Sequence, residues 1–563
     1  MQRRPGRGQA HISPPSHHSP MMGSANEKGS RLSQRNFGVT NRIWLIVGFF
    51  LFVITFTHFA LPTAPAAPAR PQFSSANLKA KNYLNASDAE PNPFAFCPVY
   101  GPGDEIGAKY GAQMLSKTRM HVGSSERMQR VLNRALAGQP VTISILGGSV
   151  SACHGAGDDP VAPNCYPSLF FQWWNSVFPH PATELTNGAM RRTNSGYFGY
   201  CSAHHIPDVT DLVIIELESE DTPDDDMMEN FETLVRSILI RPDHPAVLLL
   251  GHFSPQVHQS YGFAGPDHWH NVVAQFYDVP HISTKAVLFP SYMRDPNSID
   301  KYFVDPLLAS SAGHAVITDV LVAYFQSQIC AAWGVATGAS FDNTPPPHQA
   351  GGLHGLFGGV GQRKGVPEPG AADNDGLDAD GKRIKPAPAQ QQQHAQLLSP
   401  VPPGRINTRP GGRAFQEIAP YCVSANDLIN PLPPSLFYGS GWNAYHATSE
   451  AGTLRTTSHY WYSTLPTSKI RVPLQVGAGD IGVYYLREPM KKVGEGSAVE
   501  CWVDDNYAGA KVIENAADIG EEVPTLAVID HFVTRGSHFV ECTLLGEEGQ
   551  GVPMFKIIGI FST

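Results

Sequence analysis

Val141–Gly157 reads VTISILGGSVSACHGAG, and the reading of this stretch decides the fold. Val141 to Leu146 is rich in β-branched and aliphatic side chains without a polar alternation, which predicts one strand buried on both faces. The run breaks into Gly147-Gly148, followed by Ser149. A glycine pair at the carboxyl end of a strand lets the backbone turn sharply and presents the next side chain. In open α/β sheets ligands gather at that end. Ser149 is therefore a candidate nucleophile, provided that a base and oxyanion donors accompany it. An ordinary turn has the same sequence, so the surrounding chain must decide.

Working outward, the pattern alternates. Ser125 is positioned to cap a helix whose apolar positions Met128, Val131, Leu132, Ala135 and Leu136 share one face, with Gly138 as its stop. After Ser149 come an aromatic amphipathic segment, Tyr166–Phe178, and a short strand near Glu184–Thr186. Leu212–Glu216 (LVIIE) and Ala246–Leu250 are further continuous apolar strands. Asp224–Ile240 reads as a helix with acids in its first turn, and Asp267–Val279 and Ala312–Ile329 as two more. Apolar strands alternating with helices predict a parallel sheet covered on both faces, over residues 96–333.

The flanks differ in kind. Residues 1–42 hold seven Lys/Arg against the single acid Glu27, a composition expected to give a disordered cytosolic tail. Ile43–Leu61 is nineteen residues without Lys, Arg, Asp or Glu, about the length that spans a hydrocarbon layer. With the positive flank on its amino-terminal side, it predicts a type II signal-anchor helix, with the bulk of the chain lumenal or extracellular. Residues 62–95 are Ala/Pro-rich and read as a stalk, carrying the sequon Asn85-Ala86-Ser87. Residues 334–412 contain PPP, GGLHGLFGG and QQQQ and read as a disordered linker. Residues 413–563 show short β-rich runs from Ser458–Ser463 to Met554–Phe561, expected to form an antiparallel β-sandwich.

All eight cysteines lie beyond the anchor, which places them in an oxidising compartment. Cys153 and Cys165 flank the loop after Ser149 and are expected to pair. Five cysteines in the first domain and three in the second imply one cross-domain pair or a free thiol in each. No spacing suggests a metal or cofactor, and a net charge of −10 offers no basic surface for nucleic acid.

Three later stretches now join Ser149: Thr186-Asn187-Gly188-Ala189, Glu216-Leu-Glu-Ser-Glu-Asp221, and Asp305-Pro-Leu-Leu308 ahead of Gly313-His314. This order resembles the SGNH (GDSL-like) hydrolase superfamily over about 240 residues, and more closely the fungal membrane-anchored, capsule-associated-type proteins. CWVDD (Cys501–Asp505) and FKIIGIF (Phe555–Phe561) resemble the β-rich domain that follows in such proteins. The resemblance implies a three-layer α/β/α domain, with Ser149 as nucleophile and the N–H groups of Ser149 and Gly188 as oxyanion donors. Asn194-Ser195-Gly196, Tyr197 and Phe198 would line the pocket, or else form a helix start with core aromatics. Two positions depart from the pattern. The third oxyanion donor, an Asn in the family, is Glu220 here, and a carboxylate repels an oxyanion. The base position after Asp305 holds Leu308. His314 lies six residues on, where relatives carry a non-catalytic His. His154, His252, His258, His268 and His270 are other imidazoles of the domain, the last two inside the dense cluster Asp267–Asn271.

The implied activity is that of a membrane-anchored secretory-pathway esterase or acyltransferase acting on O-acyl groups of surface polysaccharide or glycan. Glu220 and Leu308 support the alternative, a catalytically inactive SGNH-like glycan-binding or scaffold protein. On either reading the partners are a glycan and a membrane. Trp442, Tyr445, Tyr460, Trp461 and Tyr462 offer flat faces for sugar rings, or for the core of the second domain.

Overall fold

The computed structural model describes residues 35–36, 39–59, 77–85, 92–157, 159–338, 398–408, 417, 419–426, 432, 440–446, 459–490, 496–520 and 522–563. Most of the tail expected over 1–42, and residues 339–397 of the expected linker, lie outside them. The chain divides into two compact units, Met1–Gln72 and Phe73–Thr563. The first contains helix α1, Asn41–Phe59, whose apolar side chains over Ile43–Val53 are exposed.

In the second unit a six-stranded sheet is built from β1 (Arg119–His121), β2 (Thr142–Gly147), β3 (Glu184–Asn187), β4 (Leu212–Glu216), β5 (Ala246–Gly251) and β6 (His281–Ser283). Its order is β1-β6-β5-β4-β2-β3, with every pair parallel except β1 with β6. Ile143, Ile145, Ile214 and Leu248 face one apolar cluster, and Leu146, Val213, Ile215, Val247 and Leu249 face another. Burial on both sides is why these strands carry no polar alternation.

The first face is covered by α2 (Glu126–Leu136), α3 (Tyr166–Val177) and, from the far end of the domain, Ser311–Ala336. The second is covered by α4 (Ser195–Cys201), α5 (Asp225–Leu239) and α6 (Pro266–Tyr277). The Asp224 carboxylate caps α5 by accepting the Met227 N–H at 2.8 Å, and Asp225 and Asp226 complement the helix dipole. Ser125 does not cap α2: it adopts a left-handed φ of 58° and its hydroxyl donates to Val122 C=O. Ser311–Ala336, α7, is the described helix long and apolar enough to cross a membrane, and 67% of its apolar window is buried in the fold, so it serves as a core helix. It runs seven residues beyond the expected Ile329.

Two further differences concern the flanks. Tyr83 and Phe94, inside the stretch read as a stalk, are buried in the first cluster, their rings 4.9 Å apart. Tyr83 also donates to Val177 C=O. Isolated aromatics in an Ala/Pro-rich segment have no period that would announce their burial. At the end of the expected linker, Ser399 bonds Glu126, and Arg236 donates to Pro402 C=O and Gly404 C=O, both at 2.9 Å.

The carboxyl-terminal region contains two sheets. One is β8-β9-β17-β11-β14, with β15 also on β11 and β7 on β17. Its strands are β7 (Tyr421–Ser424), β8 (Asn443–Tyr445), β9 (Tyr460–Ser463), β11 (Ile481–Pro489), β14 (Ala516–Ala517), β15 (Val523–Asp530) and β17 (Phe555–Ser562). The other is β10-β16-β12-β13, from Lys469–Val476, Gly536–Leu544, Ala498–Val503 and Lys511–Glu514. All pairings are antiparallel except β11 with β14. The alternation of Lys469–Val476, exposed and buried by turns, marks a strand with one face on a core. Trp442, Trp461, Val472, Val483, Val499 and Ile557 belong to that core.

All eight cysteines are paired: Cys97–Cys330, Cys153–Cys165, Cys201–Cys422 and Cys501–Cys542. The third joins α4 to β7. Around it Tyr200 stacks on Phe561 at 5.2 Å, and the Tyr484 hydroxyl donates to Asn194 Oδ1 at 3.0 Å. Tyr484, Ile558 and Phe561 belong to the same cluster as Phe198 and Phe231. The two regions thus share core as well as a covalent bond. With a site-specific protease sequence inserted within residues 339–397 and cleaved, the chain will migrate as one species on a denaturing gel without reductant and as two with it. Two species without reductant would contradict the Cys201–Cys422 bond.

Candidate active site

The carboxyl end of β2 delivers Ser149 where the sequence placed it, on the turn after Gly147-Gly148. The glycines are required by close approach. A Cβ on Gly148 would overlap the Glu220 side chain, and one on Gly147 would meet Ser151 Oγ and Glu216 C=O. Ser149 is 4% exposed. Its main-chain N–H donates to Glu220 Oε1 at 2.8 Å. The hydroxyl oxygen accepts the Arg192 N–H at 3.0 Å. Arg192 sits in the left-handed region, φ 51°, which aims its N–H at the serine.

Glu220 is thus a direct partner of the serine, at the position where the resemblance calls for an oxyanion donor. It is half-buried, and burial, opposed by its bonds to Ser149, holds its carboxyl above the ordinary range.

The other expected site residues have different partners. The Gly188 N–H donates to Ile145 C=O at 3.0 Å, extending the β2–β3 ladder, so that donor is engaged. Asp305 accepts the N–H groups of Leu307 and Leu308 at 2.8 and 2.7 Å, closing its own turn. Leu308, at the position where the resemblance puts the base, is buried in the first apolar cluster, and its Cβ would lie 3.6 Å from a Cβ on Gly155, so the 305–308 loop packs on the loop after Ser149. His314 accepts the Tyr166 N–H at Nδ1 (3.3 Å) and its ring lies parallel to Tyr166; burial pushes it down to about 3. His252, bonded to Leu307 C=O, is pushed down to about 4 by burial. His270 pairs with Asp221 at 2.8 Å and stacks on Phe231 at 3.8 Å. Among the described residues no imidazole hydrogen-bonds Ser149.

Behind the serine lies a polar network that sequence reading missed. Ser151 Oγ lies 2.7 Å from Tyr166 Oη and donates to Glu216 Oε2 at 3.0 Å. Asn187 Nδ2 donates to Ser151 C=O and Pro160 C=O, both at 2.9 Å, pinning the loop that Cys153–Cys165 closes. Glu216, fully buried, is pushed up to about 8 by desolvation, with Glu220 adding to the rise. Glu218, also buried, lies 3.6 Å from the Lys285 ammonium, which pairs with Asp267; desolvation raises its carboxyl well above the usual range. The available signal was the density of acids in ELESED directly after a buried strand.

Tyr197 and Phe198 are fully buried, as core aromatics of α4, with Tyr197 Oη 3.1 Å from Ser424 Oγ. In the second domain Trp442 and Trp461 are core residues. Tyr445, Tyr460 and Tyr462 are half-buried on strands β8 and β9, the first two stacked at 4.6 Å.

No protein-family model matches the chain, and no curated protein matches it. Among solved structures it is similar to a two-domain esterase (CEX) active on acetylated mannans, at 18% identity and a TM-score of 0.52, covering 80% of this chain and 98% of the esterase. The same esterase co-crystallised with mannopentaose gives 19% identity, a TM-score of 0.51, and coverage of 80% and 97%. At this identity the likeness shows a shared fold.

Glu216 sets a pH dependence of stability. Its folded value, about 8, exceeds the ordinary value of 4.5, so the native state keeps a proton that the unfolded state has lost. Its contribution is complete below about 4.5 and is lost as pH rises through about 8. The melting temperature of Glu216→Gln should therefore gain on that of the wild type across this window. A constant difference between the two would show that Glu216 ionises normally.

Proposed function

We propose that the protein is an SGNH-type esterase or acyltransferase acting on O-acyl groups of surface polysaccharide or glycan. One observation carries the reading: Ser149 stands at the carboxyl end of a buried parallel strand, its N–H on the Glu220 carboxylate and its hydroxyl oxygen accepting the Arg192 N–H. The fold shared with an esterase active on acetylated mannans supports an acylated polysaccharide as the substrate class. Leu308 and the engaged Gly188 N–H favour a second reading, a glycan-binding protein without turnover.

Acetate release from acetylated mannan, measured on the full chain in detergent micelles, separates the two. The wild type should release acetate and Ser149→Ala should lose at least about a hundredfold of the rate. Equal rates for both, with calorimetric binding of the polysaccharide retained, would establish the binding protein instead.

The location proposed is a type II membrane protein of the Golgi, secretory pathway or cell surface, anchored by residues 43–61. Four disulfides and the exposed Asn85 support a lumenal body. Treatment with an N-glycan-trimming glycosidase should speed the gel migration of the wild type and leave Asn85→Gln unchanged. Protease sensitivity of the carboxyl-terminal sheets in sealed microsomes would reverse the orientation.

A further inference from the structure

We propose that Glu220 is the general base for Ser149, forming a Ser–Glu dyad that works without an imidazole; this rests on the esterase or acyltransferase reading of the same site. The geometry carries it. Glu220 Oε1 accepts the Ser149 N–H at 2.8 Å, which holds this carboxylate against the serine. Gly148 leaves room for the Glu220 side chain against the turn, so the contact is built into the backbone. The Ser149 hydroxyl oxygen accepts the Arg192 N–H at 3.0 Å, which leaves its own proton to be given up. Three of the buried imidazoles have other partners: His314 at the Tyr166 N–H, His252 at Leu307 C=O, and His270 at Asp221.

The chemistry balances. The Ser149 proton passes to Glu220 as the Oγ–C bond forms at the acyl carbon and the carbonyl becomes an oxyanion. Protonated Glu220 no longer needs the Ser149 N–H, which becomes available to the oxyanion, and collapse breaks the bond between acyl carbon and sugar oxygen. The departing sugar oxygen takes the proton from Glu220. Water, or a second sugar hydroxyl, then gives its proton to the carboxylate while attacking the acyl-serine, and Ser149 recovers its proton from Glu220. A carboxylate is a weak base for an alcohol, and burial narrows the gap by favouring the protonated acid. The groups facing Glu220 are Asp221 and Glu216 from its own segment, Arg192 from the loop before α4, and Tyr484 from β11.

The test is labelling of Ser149 by a fluorophosphonate probe on the full chain in detergent, followed over pH. The wild type should label, Ser149→Ala should not, and Glu220→Gln should label at least about a hundredfold more slowly. Labelling of the wild type should titrate out as pH falls through a value above that of an ordinary glutamate. Glu220→Gln keeps an oxygen for the Ser149 N–H, so its melting temperature should stay at the wild-type value. Should it unfold, Glu220→Asp serves instead, with slower labelling at retained charge. Equal labelling of Glu220→Gln and wild type overturns the dyad, as does wild-type labelling no faster than that of Ser149→Ala. Labelling that depends on Glu220 without acetate release from acetylated mannan would leave the dyad standing and remove the substrate reading. Acetate release that Glu220→Gln leaves unchanged would do the reverse.

Discussion

The fit of Glu220 against Gly148 is the constraint on which the carboxyl-end surface of the sheet depends. A side chain on Gly148 would occupy the carboxylate's space, and one on Gly147 would collide with the end of β4. The turn therefore follows a path open only to glycine. That path points the Ser149 N–H at the Glu220 carboxylate. Ser151, two residues on, meets Glu216 and Tyr166 in the same way. Position, burial and ionisation of the acids in ELESED are thus consequences of one backbone turn meeting the end of a neighbouring strand.

A second constraint acts from the other side. The loop bearing Arg192 leads directly into α4, whose aromatic face packs on the carboxyl-terminal sheets and whose Cys201 is bonded to Cys422. Asn194, beside that loop, accepts the Tyr484 hydroxyl. The N–H that holds the serine hydroxyl is therefore positioned by an element wedged between the two domains. The second domain is part of how the site is held.

The elements legible in the sequence were those whose burial is two-sided and continuous. LVIIE and AVLLLG admit only a covered parallel strand, and the acid-led α5 carries its own cap. The pairing of Cys153 with Cys165 was expected from their places around the serine loop, and counting left the cross-domain bond as one of two alternatives. The site was legible only at Ser149. Gly188 as a donor came from a resemblance, and ladder hydrogen bonding, which no motif records, engages its N–H at Ile145. Glu220 was read by its charge alone, as a repulsive neighbour. Its role as a hydrogen-bond acceptor depends on the path of the Gly147-Gly148 turn, a three-dimensional fact. Tyr83 and Phe94 were missed because single aromatics gain burial from partners hundreds of residues away, such as Trp333.

The charge balance of the cluster explains why a carboxylate can stand where an oxyanion must form. Glu216, held at about 8, is uncharged at neutral pH, so it adds no negative charge beside the serine. Asp221 is paired with His270 and accepts the Ser195 N–H at 2.8 Å, which ties its charge to fixed partners. One mobile negative charge remains, that of Glu220, with Arg192 as the nearby cation that favours it. When the Ser149 proton moves to Glu220, that charge passes to the serine oxygen and then to the carbonyl oxygen, and the carboxyl becomes neutral. The number of negative charges in the site therefore stays the same from resting state to tetrahedral intermediate. An imidazole base would instead separate a positive and a negative charge in the same low-dielectric space. The repulsion expected of a glutamate at the oxyanion position applies only to a carboxylate that stays ionised, and a base that has taken its proton has lost the charge that would repel.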